Sequence, residues 1–340
     1  MKKTILSAII GGVAALSMQS AVHAAEITLR FAHLWPAVAG THKEGFQAWA
    51  DKIEKDSNGR IKVDVYPSGT LAKPPAQYEA VKNRVADITA TVQGYSANRF
   101  PLTQVVELPG IVKNGEHGSC IVQSLYNEGL IADEYKDTKP LWMFTHGPGH
   151  IHVKGKSITK PEDFAGLRIR RPTTVVSNLL KELGAQPVGM PAPASYQSMQ
   201  RGVIDGVAFP WEGTVSFRLN ELVDSHTEIG GLYTLSFVVT MNKDVYNGMP
   251  ADLQKIIDNN SGMNWAVRTG KVFDKIDVKG RAMAVKAGHT INTIKGGVNN
   301  PAWKPVLDKA TETYLADLEA KGLPARKVYK RANELAAVCK

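Results

Sequence analysis

The run Phe164-Ala-Gly-Leu-Arg-Ile-Arg-Arg-Pro172, followed thirty residues later by Gly202-Val-Ile-Asp-Gly206, is the most informative part of this chain. The first run predicts a short strand from Leu167 to Arg170, ended by the proline, which has no N–H to give to a sheet. Strand side chains alternate between faces, so Arg168 and Arg170 share one face. Because a guanidinium presents a planar fork that matches a carboxylate, this face is either an anion-binding site or a solvated edge strand.

The N-terminus has the pattern of a secretory signal peptide. Lys2 and Lys3 precede an apolar run from Ile5 to Leu16, and Val22-His23-Ala24 places small residues where a signal peptidase reads them. We therefore predict a signal peptide over residues 1–24, with cleavage near Ala24. The apolar run is too short to be a stable membrane anchor, and no later segment approaches about 20 uninterrupted apolar residues.

Size, charge and motifs limit the possible functions. Removing residues 1–24 leaves 316 residues (340 − 24), which suits two domains, and lowers the formal net charge from +9 to +7. The positive charge is spread along the chain without a basic tail or stripe, which argues against nucleic-acid binding. The chain has no Gly-x-Ser-x-Gly and no His-Glu-x-x-His run, so we predict no enzymatic activity and no cofactor.

A histidine cluster offers a competing interpretation. His146, His150 and His152 follow a His-x3-His-x-His pattern, and the last two would share one face of a strand. Zinc requires three or four converging ligands with further groups to orient them, and no cysteine or acid is near in the sequence. Metal binding is therefore kept as an alternative.

The two cysteines, Cys120 and Cys339, lie far apart in the sequence. An oxidising compartment permits a disulfide, which would tie the C-terminal tail to the first half of the chain. Two separate buried thiols are also compatible with the sequence, because it does not report the distance between the two Cα atoms.

Strand and helix patterns alternate along the mature chain. Alternating apolar residues predict strands near Ile27–Phe31 and Ile61–Val65, with a helix between them that ends at Gly59. The alternation continues to Val207 and indicates an α/β fold of mostly parallel sheets with helices on both faces. From Pro250 to about Ala287 the pattern is long and helical, long enough to lie across two domains.

Short motifs in a fixed order make the chain similar to a known family. From about Ile27 to about Arg326 it resembles the periplasmic solute-binding proteins of tripartite ATP-independent periplasmic (TRAP) transporters, of the C4-dicarboxylate-binding type. The motifs that carry the resemblance are Phe31-Ala-His33, Gly59-Arg-Ile-Lys-Val63, Tyr66-Pro-Ser-Gly-Thr-Leu71, Ala86-Asp-Ile88, Phe100-Pro101, Glu107-Leu-Pro109, Gly166-Leu-Arg-Ile-Arg170, Gly184-Ala-Gln-Pro187 and Gly202-Val-Ile-Asp-Gly206.

The resemblance implies a periplasmic binding protein-like fold with two α/β domains, hinge strands and a long domain-spanning helix. We expect the first domain over residues 25–147 plus about 235–274, and the second over 148–234 plus about 275–340. It also implies a periplasmic monomer that captures a small organic acid and delivers it to the membrane permease subunits. A binding protein that serves a sensor kinase is the alternative within the same fold.

Carried over residue by residue, the carboxylate-clamping arginine of this family falls on Arg170. Many relatives carry a second arginine on the preceding strand, and our alignment by spacing places His150 there. A histidine forms a single, weaker hydrogen bond to an acid and titrates near neutrality, so we expect His150 to strengthen binding as the pH falls.

A second departure from the family pattern concerns aromatic residues. Relatives often have an asparagine immediately before the proline that corresponds to Pro210. This chain has Phe209 at that position, and Trp211 follows the proline. Losing an arginine and an amide while gaining aromatic surface favours a monocarboxylate with an aromatic or apolar body, a class that includes 2-keto and 2-hydroxy acids, over a C4-dicarboxylate. Burial of both aromatics in the core is the alternative.

Four residues of the first domain complete the predicted site. His33 and Trp35 follow the first strand, and Gln93 and Tyr95 follow the strand that ends near Val92. Tryptophan and tyrosine have an apolar body and a polar tip, which suits a lip that closes on a ligand. Ordinary packing within the domain would explain each of the four equally well.

Overall fold

The structure is a computed structural model that describes residues 25–340. Within these residues it contains two β-sheets, with eleven strands and eleven α-helices in all. The predicted signal peptide, residues 1–24, lies outside the described residues. None of the helices in residues 25–340 is both long enough and apolar enough to cross a membrane.

The secondary-structure elements alternate as the sequence predicts. In chain order the strands are β1 (Ile27–His33), β2 (Ile61–Tyr66), β3 (Ile88–Val92), β4 (Lys139–Thr145), β5 (His150–Val153), β6 (Arg168–Arg171), β7 (Gln186–Gly189), β8 (Gly206–Phe209), β9 (Ser225–Glu228), β10 (Ser236–Met241) and β11 (Thr290–Thr293). The α-helices are α1 (Ala48–Asp56), α2 (Gln77–Lys82), α3 (Gly115–Asn127), α4 (Thr174–Glu182), α5 (Ser195–Gln200), α6 (Trp211–Ser216), α7 (Lys243–Asn247), α8 (Ala251–Asn259), α9 (Met263–Lys286), α10 (Lys304–Glu319) and α11 (Ala325–Val338). A π-helical segment, Thr41–Gln47, precedes α1.

The two sheets define two domains. The sheet of the first domain has the strand order β2-β1-β3-β10-β4, and that of the second has the order β11-β9-β5-β8-β6-β7. Among residues 25–340, five of the nine neighbouring strand pairs are parallel, whereas β10 is antiparallel to β3 and β4, and β5 is antiparallel to β8 and β9. These two strands follow the passages of the chain between the domains, and each enters its sheet in the opposite direction.

Two crossing segments connect the sheets. The first crossing segment, residues 146–149, joins β4 to β5, and the second, residues 229–235, joins β9 to β10. They are hydrogen-bonded to each other, because Gly149 N donates to Tyr233 O at 2.7 Å and Thr234 Oγ1 donates to His146 O at 2.7 Å. A Cβ atom at position 149 would overlap the Tyr233 ring, so only glycine fits there.

The predicted single helix from Pro250 to about Ala287 is two helices. Gly262 separates α8 from α9 with a positive φ of 69°, which glycine adopts without strain, and its N–H donates to Leu141 O at 2.7 Å. The 24-residue α9 packs against both α3 and α6 and therefore spans the domains.

Two aspartates on α9 bind one domain each. Asp274 accepts from the backbone N–H groups of Gly115 and Glu116, at the start of α3, at 2.6 and 2.9 Å. One helical turn later, Asp277 accepts from the backbone N–H of Glu212, in α6, at 2.5 Å. Burial raises the pKa of both carboxyl groups.

The C-terminal helix returns to the first domain. Cys120 in α3 and Cys339 form a disulfide, with their Cα atoms 5.9 Å apart. Helix α11 packs against α3, whereas α10 packs against α4 of the second domain. We therefore propose that the second domain ends before residue 325, not at residue 340.

Strand β6 begins and ends one residue later than predicted. It lies between β7 and β8, and Arg170 pairs with Val188 on one side and Val207 on the other. It is thus not an edge strand. The interpretation of the arginine run as a solvated edge is wrong for Arg170, which is 1% exposed.

Candidate ligand-binding site

A cavity lies between the two domains at the carboxyl ends of β6 and β8. The space between its walls, counted out to where it opens to solvent, is about 350 Å³. Its wall comes from both domains and is mostly apolar. The lining residues are Leu34, Trp35, Val92, Tyr95, His146, Arg170, Ala192, Ala208, Phe209, Pro210, Glu212, Phe217, Tyr233, Leu235, Phe237 and Phe273.

Arg170 supplies the positive charge of this wall. Its Nε donates to Met190 O at 3.1 Å, its Nη1 to Ala208 O at 3.0 Å, and its Nη2 to Tyr95 Oη at 3.0 Å. A guanidinium has five N–H groups, so one remains unused on each terminal nitrogen. All three acceptors are uncharged. Burial lowers the pKa of Arg170, but a guanidinium stays protonated in proteins.

Phe209 completes the surroundings of the guanidinium. The Arg170 Cζ atom lies 4.1 Å from the centroid of the Phe209 ring, in a cation–π contact. The ring is buried and belongs to the cavity wall. Phe209 therefore holds the cation from one side without using any of its N–H groups.

Tyr95 connects the domains at the cavity. Its hydroxyl oxygen accepts from Arg170 Nη2 and also from Ala192 N at 2.9 Å, and both donors belong to the second domain. Because the oxygen accepts both bonds, its own proton is free for another acceptor. Tyr95 thus bridges the closed cleft and still has a donor to offer.

Two further polar atoms of the wall are buried without a hydrogen-bond partner among the described residues. They are His146 Nε2 and Tyr233 Oη, in side chains that are each 2% exposed. His146 Nδ1 contacts the carbonyl oxygen of Gly147, which can only accept, so Nδ1 carries the ring proton. Burial lowers the pKa of His146 to about 3, so the ring is neutral and Nε2 is an acceptor.

Glu212 is the one acidic residue of the wall. Its Oε1 accepts from Ser216 Oγ at 2.5 Å. Burial raises its pKa to about 7. The group is therefore poised to change its charge near neutral pH.

The structure brings four of the eight predicted site residues to the cavity and places the other four outside its wall. Arg170, Phe209, Tyr95 and Trp35 are lining residues; His33, Gln93, His150 and Trp211 are not.

The two polar residues from the first domain are held inside that domain. His33 makes a 2.9 Å hydrogen bond to His42, and Gln93 Nε2 donates to Tyr135 Oη. Their side chains are therefore engaged within the first domain.

His150 and Trp211 lie behind the wall. Their ring centroids are 5.8 Å apart, and Trp211 Nε1 donates to Glu228 at 3.0 Å. Burial lowers the pKa of His150 to about 4. The expectation that this residue gains charge near neutrality is therefore wrong, because it is neutral throughout the physiological range.

The predicted histidine cluster does not form a metal site. Within residues 25–340 no group of three or more His, Cys, Asp or Glu side chains could hold a metal ion. His152 instead contacts His226, with 2.7 Å between their Nδ1 atoms, and His146 faces the cavity. The rings of His150 and His152, two residues apart on β5, have centroids 6.2 Å apart, whereas His146 lies on the first crossing segment, outside β5.

Sequence reasoning missed three polar lining residues, which are His146, Glu212 and Tyr233. His146 was considered only as a metal ligand, and Glu212 follows the Phe-Pro-Trp run without an obvious signal. Tyr233 comes from the second crossing segment, where no motif marks it. Only its burial opposite Gly149 identifies it.

Comparisons with known proteins agree with this architecture. The model of the family described as bacterial extracellular solute-binding protein, family 7, matches residues 31–275. A TRAP solute-binding protein from Rhodoferax ferrireducens T118, solved with copurified benzoate, is 38% identical, covers 92% of this chain and 98% of that chain, and has a TM-score of 0.87.

Two further solved structures carry other acids. A marine metagenome TRAP solute-binding protein, described as specific for aromatic acid ligands and solved with 3-hydroxybenzoate, is 36% identical over 93% of this chain and 100% of that chain, with a TM-score of 0.89. One from Bordetella bronchiseptica, with (R)- and (S)-mandelate bound, is 26% identical over 92% of this chain and 99% of that chain, with a TM-score of 0.83.

Proposed function

This chain belongs to family 7 of the bacterial extracellular solute-binding proteins, the TRAP transporter type, and we propose that its ligand is an aromatic monocarboxylate. Proteins of this family work in the periplasm and bind solutes for transport. The protein traps the acid between its domains and presents it to the membrane permease. The signal peptide directs export and is then cleaved near Ala24.

The observation that carries the proposal is the unpaired charge of Arg170. A buried cation without an anionic partner is costly, and a ligand carboxylate compensates for that cost. The two unused N–H groups, one on each terminal nitrogen, suit the two oxygens of one carboxylate. The free proton of Tyr95 supplies a third donor to the same anion.

The rest of the wall suits an aromatic body. Trp35, Phe209, Phe217 and Phe237 surround the space beside Arg170. Aromatic rings pack favourably on one another in offset or edge-to-face geometries. The benzoate, hydroxybenzoate and mandelate found in relatives have a body of this kind.

A C4-dicarboxylate fits this wall less well. Arg170 is the only lysine or arginine among the lining residues that the structure describes, so a second carboxylate would lack a cationic partner. Glu212 would repel it when ionised. The charge distribution therefore favours one carboxylate.

Closure of the cleft accompanies binding. Tyr95 of the first domain joins Arg170 and Ala192 of the second. Rotation about the two crossing segments would break these bonds and open the cavity, as in other hinge-closing binding proteins. Ligand binding to the closed form then stabilises the bridge that Tyr95 makes.

Thermal unfolding with a panel of acids tests the proposal. Benzoate, 3-hydroxybenzoate and mandelate should raise the melting temperature more than succinate or malate, because a ligand at 100 times its Kd stabilises the native state by about 2.7 kcal/mol. Isothermal titration calorimetry should confirm each response. A panel in which only succinate and malate respond would contradict the proposal and return the protein to the dicarboxylate group.

A further inference from the structure

The two unpartnered atoms of the cavity, His146 Nε2 and Tyr233 Oη, have complementary requirements. His146 Nε2 can only accept, since its ring proton is on Nδ1, and Tyr233 Oη has a proton to donate. Neither is within hydrogen-bonding distance of the other. A group that both donates and accepts, placed between them, would satisfy both.

A hydroxyl group is the simplest chemical group with this property. It donates its proton to His146 Nε2 and accepts from the Tyr233 O–H. A keto oxygen accepts from Tyr233 but leaves His146 without a donor, and a methylene group satisfies neither. Leaving a buried polar atom unsatisfied costs more than the net gain from making its hydrogen bond.

The position of the two atoms locates the hydroxyl on the ligand. His146 and Tyr233 line the same cavity as Arg170, and the centroids of their two rings are 6.0 Å apart. The group that they recognise is therefore near the carboxylate that Arg170 holds. In a small acid this is the carbon next to the carboxylate.

We propose that His146 and Tyr233 recognise the 2-hydroxyl group of the ligand, and that the protein selects aromatic 2-hydroxy acids over the corresponding 2-keto and unsubstituted acids. This rests on the proposed function, since it requires that Arg170 binds the ligand carboxylate. The chemical class is that of mandelate, an aromatic body with one carboxylate and a hydroxyl on the adjacent carbon.

The two residues also connect the hydroxyl to closure of the domains. His146 lies on the first crossing segment and Tyr233 on the second, and the segments are already bonded through Gly149 and Thr234. A ligand hydroxyl adds one more link between them in the closed state. The 2-hydroxy acid therefore stabilises the closed form beyond what the carboxylate alone achieves.

The test is calorimetric titration of three matched acids: mandelate, phenylglyoxylate and phenylacetate, which differ only at the 2-position. The wild-type protein should bind mandelate about 10- to 100-fold more tightly than phenylacetate, with phenylglyoxylate between them. Equal affinities for all three acids, with binding still lost in Arg170→Ala, would overturn this inference and leave the proposed function intact.

Two variants assign the selectivity to the named atoms. Tyr233→Phe keeps the ring and removes only the hydroxyl, and His146→Phe removes the acceptor. Each should reduce the preference for mandelate over phenylacetate to less than about threefold, because a polar atom that recognises the hydroxyl group is gone. Tyr314→Phe is the matched control, because Tyr314 is a buried tyrosine whose hydroxyl bonds Pro101 O, away from the cavity.

The variants also distinguish a failure to fold, a wrong assignment of the hydroxyl site and a wrong proposed function. If His146→Phe fails to fold, Tyr233→Phe decides alone. A full preference for mandelate in Tyr233→Phe would show that the hydroxyl is bound elsewhere and overturn the assignment. Binding of succinate or malate instead of all three aromatic acids would overturn the proposed function, and this inference with it.

Discussion

The cavity wall and the histidine chain behind it, which consists of His152, His226 and His289, both bury histidines. They differ in how many hydrogen-bond donors and acceptors remain unused. In the histidine chain, His289 Nδ1 and His226 Nε2 are 3.0 Å apart, and His226 Nδ1 and His152 Nδ1 are 2.7 Å apart. His152 Nε2 lies 3.1 Å from Phe209 O. The carbonyl oxygen can only accept, so His152 Nε2 donates to it. His152 Nδ1 then accepts from His226 Nδ1, and His226 Nε2 accepts from His289 Nδ1. His152 and His226 therefore use both of their ring nitrogens.

The cavity wall keeps capacity unused. His146 has one free acceptor, Arg170 has two free N–H groups, and Tyr95 and Tyr233 each have a free proton. Burial lowers the pKa of His152 and of His146 alike. A perturbed pKa therefore does not distinguish a binding site from a structural network here. Polar groups that face a cavity and lack a hydrogen-bond partner do distinguish the two.

Arg170→Ala should have the largest effect on the affinity for the ligand. It removes the only cation of the wall and should weaken binding of the aromatic acid by about 2–5 kcal/mol, roughly 30- to 5,000-fold. Arg170→Lys should rescue poorly, since a lysine has no fork. Calorimetry measures the affinity, and circular dichroism checks the fold. Wild-type affinity in Arg170→Ala would show that the carboxylate binds elsewhere.

His226→Phe should affect stability and spare binding. It breaks the middle of the histidine chain and leaves His152 Nδ1 without a donor, at a cost of about 1–3 kcal/mol in the free energy of unfolding. The affinity for mandelate should change by less than about threefold, because His226 does not line the cavity. Urea unfolding and calorimetry measure the two quantities. A large loss of affinity at unchanged stability would erase the distinction between the two regions.

Glu212 should make binding depend on pH. Burial raises its pKa to about 7, and a bound carboxylate should raise it further, because two negative charges in one cavity repel. Binding then takes up a proton, and the affinity should fall about three- to tenfold as the pH rises from 6 to 8. His146 and His150, with pKa values near 3 and 4, stay neutral in this range and contribute nothing.

Calorimetry in buffers of different ionisation enthalpy measures the proton uptake, and Glu212→Gln is the control. The glutamine variant should bind with a flat pH profile. An equally steep profile in the variant would assign the proton to another group of the wall.

Arg168→Ala should have the smallest effect. Arg168 lies on the same strand as Arg170, but it is half-exposed and pairs with Asp205, with Nη2 and Oδ1 2.7 Å apart. Its charge is already compensated and lies away from the cavity wall. The affinity should stay within about twofold of the wild type, since exposed ion pairs contribute little. A loss comparable to that of Arg170→Ala would mean that both arginines bind the ligand.

The fold was largely predictable because it depends on local patterns. The strands at Ile27 and Ile61 and the alternation of strands and helices follow from the period of apolar residues. The break at Gly262 was missed, because helical spacing continues on both sides of it. The antiparallel direction of β5 and β10 was missed as well, since it depends on where the chain crosses between sheets.

The site was only partly predictable. Arg170 and Phe209 lie in or beside motifs that resemble a known family, and Trp35 and Tyr95 were found as amphipathic residues after strands. His150 and Trp211 lie near them in sequence but behind the wall, because His150 faces Trp211 and not the cavity.

The sequence by itself determined the α/β alternation, the family resemblance and the arginine on which the proposed site depends, since each can be read from neighbouring residues. Only the tertiary structure decided which polar groups stay unsatisfied. That property belongs to pairs that are distant in the chain: Tyr95 meets Arg170 across 75 residues, and Thr234 meets His146 across 88. A buried hydrogen bond is made or missed when the domains close, so a local pattern cannot report it.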